Sequence, residues 1–194
     1  MLRPAGLLLS GLLAVYTALG AGANPAAAQE ARDFSALETL RDGSLRKLIF
    51  AAPQEIPDIA FTDAAGADHR LADWQGKWLV VNFWATWCAP CRKEMPGLDA
   101  LQSEFGGERF AVLTIATGRN PVPAVQRFFS EVGVTHLPQL LDPKSQLARQ
   151  MGVLGLPLTV LIDPEGHEVA RLIGDADWSG DSARAIVAAL LAGG

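Results

Sequence analysis

Cys88 and Cys91 are the only two cysteines of the 194-residue chain, and Ala89 and Pro90 separate them. A CxxC pair supports thiol–disulfide exchange, metal ligation or covalent haem attachment. Haem attachment needs a histidine directly after the second cysteine, and Arg92 stands there. A zinc site needs two further ligands. The three histidines, His69, His136 and His167, are scattered, with no motif tying them to the cysteines. They read as lone surface or turn residues, and no metal site is expected. A purely structural disulfide closing so short a loop would add only about 2 kcal/mol on the chain-entropy account. That is a weak staple for a domain of this size, so redox exchange is the favoured chemistry.

The elements around the pair supply the physics. Residues 78–85, WLVVNFWA, are a near-continuous apolar run suited to a central strand buried on both faces. A helix is expected from about 88 to 104, with Met95, Leu98, Leu101 and Phe105 on one side. The first N–H groups of a helix lack intrahelical partners, and its dipole favours negative charge there. A thiolate at Cys88 is thereby stabilised and its pKa falls below the free value of about 8.5. Such a thiolate attacks disulfides and also leaves readily. Cys91, one turn further in and more shielded, is placed to resolve a mixed disulfide. Pro90 suits the first turn, where its missing N–H costs little.

Further strands are expected at 110–116, 137–141, 158–162 and 168–173, with helices at 121–132, 144–151 and 181–191. Residues 59–62 and 69–71 read as a small hairpin, and 163–166 as a turn. Residues 33–50 carry a helical pattern interrupted by Asp42 and Gly43, and Pro53 and Pro57 then break helix. Alternating strands and helices imply an α/β fold: a mixed sheet flanked by helices, with an antiparallel side at 158–173. The domain expected to hold it is 52–193, preceded by a linker and short helical segment at 29–51.

The first 28 residues are of another kind. Arg3 is their only charged side chain, and residues 5–23 carry none. That run spans roughly 28 Å as a helix, close to the hydrocarbon thickness of a bilayer. Ala26 and Ala28 fit a signal-peptidase site. Residues 1–28 are therefore a signal peptide or a retained N-terminal membrane anchor, and either sends the body into an oxidising compartment. The net charge of −5 argues against nucleic-acid binding. With no heptads and an acidic balance, a monomer is expected.

The stretch 83–91, FWATWCAPC, strongly resembles the active-site segment of thioredoxins. Pro96, five residues after Cys91, matches the proline within their active-site helix. Gly155, Leu156 and Pro157 resemble their cis-proline segment, which implies a thioredoxin-like fold with Pro157 facing the cysteines and the backbone at Leu156 pairing with bound substrate. Thioredoxins carry a buried aspartate six residues before the first cysteine, and here that position is Asn82. The longer motif 81–96, VNFWATWCAPCRKEMP, is more similar to TlpA-type envelope reductases, including ResA-like relatives. Residues 118–142 match the central helix–strand insertion of that group, and 161–166 and 175–178 also resemble it. The resemblance spans roughly 52–193.

What it implies is a periplasmic thiol:disulfide oxidoreductase with no separate cofactor, working as a reductant on disulfide-containing client proteins. Apocytochrome c and copper-site assembly factors of cytochrome oxidase are the expected clients. A membrane thiol transporter of the DsbD or CcdA kind is the expected electron donor. Glu94, three residues after Cys91, is either a replacement proton acceptor, as related reductases carry a Glu at this offset, or a solvated carboxylate in the first turns of a helix. Trp84 and Trp87 are expected to wall the site, and Trp87 to meet substrate with Leu156 and Pro157. Trp74 and Trp78 read as packing residues, Arg92 and Lys93 as solvated charges, and Trp178 has no assigned place. Two rival readings stay open: a peroxidase of the peroxiredoxin class, although Val81 and Thr86 miss that pattern, and a Cu(I) carrier using the CxxC thiolates with His136.

Overall fold

The computed structural model describes residues 33–193. The expected signal or anchor at 1–28, and residues 29–32 of the expected linker, lie outside the described residues.

A short helix α1 (Ser35–Thr39) and a 3-10 turn (Gly43–Lys47) lead into β1 (Ile49–Glu55). Strands β2 (Phe61–Asp63) and β3 (Asp68–His69) form the hairpin, and a second 3-10 turn (Leu71–Trp74) precedes β4 (Trp78–Trp84). Then follow α2 (Ala89–Phe105), β5 (Phe110–Thr117), α3 (Val122–Val132), β6 (Leu140–Asp142) and α4 (Gln146–Gln150). The chain closes with β7 (Leu158–Ile162), β8 (His167–Ile173) and α5 (Asp181–Ala192). All eight strands join one mixed sheet in the order β1-β8-β7-β4-β5-β6-β2-β3. β4 lies parallel to β5 and antiparallel to β7, so it is paired on both edges and buried along its length.

Side chains alternate across a strand, and β4 divides the core accordingly. Trp78, Val80 and Trp84 enter one cluster, with residues of α2, α3 and α5. Leu79, Val81 and Phe83 enter the other, with Leu147, Ala148 and Met151 at α4. Asn82 therefore points with Val80 and Trp84 to the face that α2 covers. On its flanks in register are Thr114 of β5 and Thr159 of β7, and all three are fully buried. A row of polar residues thus crosses the middle of the sheet under α2.

The helices expected at 121–132 and 181–191 and the strand at 158–162 agree with α3, α5 and β7. Gly133 ends α3 in the left-handed conformation (φ 70°), which its lack of a Cβ permits. The strand expected from 137 starts only at Leu140, and the helix expected at 144–151 is the shorter α4. The segment before the domain departs most. Helical pattern was expected through Phe50, but β1 begins at Ile49, inside the expected linker, and pairs antiparallel with β8. Its register shifts between Phe50 and Gln54, the stretch holding Pro53. A proline cannot donate to a ladder and is tolerated at such irregular edge positions.

Candidate active site

Cys88 is the N-cap of α2, and its Sγ accepts the backbone N–H of Cys91 at 3.3 Å. The two cysteines are joined in a disulfide, with Cα atoms 5.3 Å apart. Cys88 keeps 5% of its surface exposed and Cys91 none, while Ala89 and Pro90 between them are exposed. Of the two sulfurs, only that of Cys88 belongs to a residue reaching the surface. It also sits where the unpartnered N–H groups and dipole of a 17-residue helix favour negative charge. Pro96 lies inside α2 as expected, removing the donor that would have met the Arg92 carbonyl.

The loop ahead of Cys88 is fastened from the insertion. Asn120, buried before α3, accepts both the Thr86 N–H (2.8 Å) and the Thr86 hydroxyl (2.9 Å) on its Oδ1. Its own amide donates to the Thr117 carbonyl. Arg92 was expected to be a solvated charge. It is half-buried instead, with its guanidinium 4.3 Å from the Phe128 ring centre and 3.4 Å from Glu131 Oε2. Lys93 is exposed.

Glu94 is buried, at 4% exposure, which rules out the solvated carboxylate. Its Oε1 accepts Asn82 Nδ2 at 2.8 Å. Its Oε2 accepts the Ala176 N–H and the Trp178 indole N–H, each at 3.0 Å. Asn82 Nδ2 also donates to Thr159 Oγ1 at 2.9 Å. Burial pushes the Glu94 pKa up from 4.5 to about 7, against the opposing pull of these donors, and the nearby negative charge of Asp175 adds to the rise. A carboxyl so tuned exchanges a proton readily near neutral pH.

The tryptophans divide differently from the expectation that both 84 and 87 wall the site. Trp84 is fully buried in the core, with ring centres 5.2 Å from Phe128 and 5.7 Å from Phe129. Trp87 is 69% exposed, beside Cys88 in sequence. Its direction follows from the end of β4: the strand stops at Trp84, and the alternation that buries Trp84 no longer governs a residue three further on. Trp178, unplaced by the sequence, proves to be a direct partner of Glu94. No signal near Cys88 marks it, because 84 residues separate it from Glu94. Trp78 is buried and Trp74 stacks on Phe61, both as expected.

The Leu156–Pro157 peptide is cis. Leu158 pairs with Phe83, so Pro157 falls beside the C-terminal end of β4, from which the cysteine loop departs. Pro157 is buried and Leu156 half-buried, while Leu154 just before them is almost wholly exposed. The histidines are not lone residues: His136 Nδ1 is 3.0 Å from Asp99 Oδ2, and His69 and His167 each stand near carboxylates.

The model of the AhpC/TSA family matches residues 52–170. The thiol-disulfide oxidoreductase ResA of Geobacillus kaustophilus is 36% identical over 127 residues, 66% of this chain and 71% of that protein. ResA of Bacillus subtilis is 31% identical over 141 residues, 73% of this chain and 72% of its own. Among solved structures, a thiol:disulfide interchange protein of the thioredoxin family from Chlorobium tepidum TLS aligns with a TM-score of 0.59 at 26% identity, covering 73% of this chain and 99% of that one. The sheet and flanking helices are thus thioredoxin-like, as the sequence resemblance implied. A match over more than half its length, with relatives above 30% identity that it largely spans, places the chain in the AhpC/TSA family, among the thioredoxin-fold thiol-disulfide oxidoreductases.

Proposed function

We propose that the chain is a periplasmic reductant of protein disulfides, either soluble after signal cleavage or held at the inner membrane by residues 1–28. The observation that carries this reading is the asymmetry of the pair: Cys88 caps α2 and reaches the surface, and Cys91 lies buried three residues from a carboxyl tuned near neutrality. In the dithiol form the Cys88 thiolate attacks one sulfur of a client disulfide. A mixed disulfide forms and one client thiolate leaves. Cys91 gives its proton to Glu94 and attacks Cys88 Sγ. The second client thiolate then leaves, and the Cys88–Cys91 disulfide closes. Two electrons pass to the client and no further cofactor takes part. Trp87, Leu156 and Pro157 form the surface that receives the client chain. The exchanging domain takes in β1 and so begins before the expected start at 52.

The clients are cysteine pairs of apocytochrome c or of copper-site assembly factors. A membrane thiol transporter of the DsbD or CcdA kind returns the electrons. The ResA relatives support the exchange chemistry, and Pro90 before the second cysteine supports the reducing direction by its resemblance to reducing members of the fold. The Thr86 hydroxyl is committed to Asn120, and His136 to Asp99, so neither rival reading gains from the geometry.

Replacing the resolving sulfur tests the reading. Cys91→Ser should accumulate a mixed disulfide between Cys88 and an envelope client, which mass spectrometry of the gel-shifted species identifies. Equilibrated with glutathione, the native pair should show a potential well below about −120 mV, the value of a strong periplasmic oxidant. A value near that level overturns the reducing direction. Absence of any trapped envelope protein, with function surviving Cys88→Ser, overturns the exchange itself.

A further inference from the structure

Two of the three donors on Glu94 come from a loop that is held at both sides. The Ala176 N–H and the Trp178 indole belong to the loop 175–179 between β8 and α5. On its inner side α2 comes so close that a Cβ at Gly97 would stand 3.0 Å from Ser179 N and 3.3 Å from Trp178 Cβ. On its outer side the 3-10 turn Gly43–Lys47 grips it. Ser44 Oγ accepts the Asp177 N–H at 2.8 Å. Lys47 Nζ donates to the Asp175 carbonyl and stands 3.8 Å from the Asp175 carboxylate. The turn is itself anchored: Leu45 and Leu48 are buried in the core, and the Asp42 N–H donates to Ser182 Oγ on α5. A cleft of about 330 Å³ runs between these parts, lined by Ser44, Lys47, Lys93, Glu94 and Asp175.

We infer that Ser44 and Lys47 are positioning residues for Glu94: by clamping the backbone of 175–177 they fix two donors on its carboxylate, and Lys47 offsets the charge of Asp175 beside it. The inference deepens the proposed exchange, in which Glu94 takes the Cys91 proton. The charged groups around Glu94 are few. Asp175 and Asp177 of the loop, Lys47 of the turn and Lys93 of α2 line the cleft with it, and of these Asp175 acts on its carboxyl by charge. β4 and β7 offer only the neutral Asn82 and Thr159. Loosening the clamp weakens the bonds that favour the charged carboxylate. Removing Lys47 also leaves Asp175 uncompensated. Both effects raise the proton affinity of Glu94. A turn that precedes the first strand of the sheet is thereby part of the proton handling at the site.

The test reads Glu94 directly, in the oxidised protein, where neither cysteine titrates. Carbon-13 NMR follows the Glu94 carboxyl carbon against pH, assigned by its loss in Glu94→Gln. Ser44→Ala and Lys47→Met should each move the midpoint upward by about half a unit, the scale of one partly exposed contact, while Lys47→Arg should stay near the native value. Asp175→Asn, which keeps the carbonyl but removes the charge, should move it downward. General loosening of the fold would not produce that opposite sign. Midpoints within about 0.2 unit of native in both Ser44→Ala and Lys47→Met, with unchanged circular dichroism, overturn the clamp, being below one contact's effect. An upward or absent shift in Asp175→Asn overturns the charge offset. Failure of the Cys91→Ser trap beside intact midpoint shifts would remove the exchange reading and leave the clamp standing.

Discussion

One amide under α2 decides what Glu94 is able to do. Asn82 meets Glu94 Oε1 at 2.8 Å with an N–H, and it is fully buried between Thr114 and Thr159. A carboxyl at 82 would replace that donor by a second acid at the same distance. Two carboxylates so close in a buried site cannot both ionise, and one is forced to keep its proton. Asn82→Asp should therefore leave the pair singly protonated well above pH 7 and set a like charge against any further ionisation. We expect a stability loss of about 2–4 kcal/mol at pH 8, where the native pair must hold a proton that the unfolded chain has released, and a smaller loss at pH 5. Urea unfolding at the two pH values separates this from a plain packing defect, which would give equal losses at both. With a neutral amide at 82, Glu94 is the only acid among the described side chains hydrogen-bonded at this spot.

At the level of elements, the insertion around α3 fastens the cysteine loop as well as filling space. Phe128 and Phe129 pack on Trp84, contacts whose truncation costs about 3–5 kcal/mol in a core. Asn120 acts more locally, through its two bonds to Thr86. Asn120→Ala should cost about 1–3 kcal/mol by orphaning the Thr86 amide. Hydrogen exchange at Thr86 should accelerate well beyond that of β4, and uniform acceleration across the sheet would refute this local role. The fastening could not be seen in the sequence, because 34 residues separate Asn120 from Thr86. What was legible shares one physical cause. β4, β5 and β7 are buried on both faces and so read as unbroken apolar runs. β1 is mostly exposed and is held to β8 by backbone bonds, which leave no hydrophobic period to read. The cysteines were legible because strand, cap and helix are contiguous there. The burial of Glu94 was not, since it depends on Trp178 and Ala176 arriving from the far end of the chain.

Across the whole molecule, the ionisation of Glu94 is tied to folding, because β4, α2 and the loop before α5 close over one carboxyl together. Its pKa is about 7 in the fold against an ordinary 4.5. Between those values the native state holds a proton that the unfolded chain has released. The native state thus binds more protons, and stability falls as pH rises through that window. Below about 4.5 both states are protonated and the contribution is complete; above about 7 both are ionised and it is gone. The span corresponds to roughly 3 kcal/mol. This is the opposite of the usual carboxylate, whose native pairing is lost in acid. A neutral Gln at 94 keeps the shape but cannot ionise. Glu94→Gln should therefore be close to the native protein in stability at pH 5 and more stable than it by up to roughly 3 kcal/mol at pH 8. Urea unfolding of the oxidised proteins across that range measures the gap, and the two Asp and Glu populations elsewhere cancel in the comparison. A gap that stays constant with pH would show that Glu94 is ionised throughout. It would then lack the proton affinity that the proposed exchange assigns to it. In the proposed exchange, the same proton affinity that lowers stability at high pH is what would receive the Cys91 proton, so raising stability at this position should slow exchange.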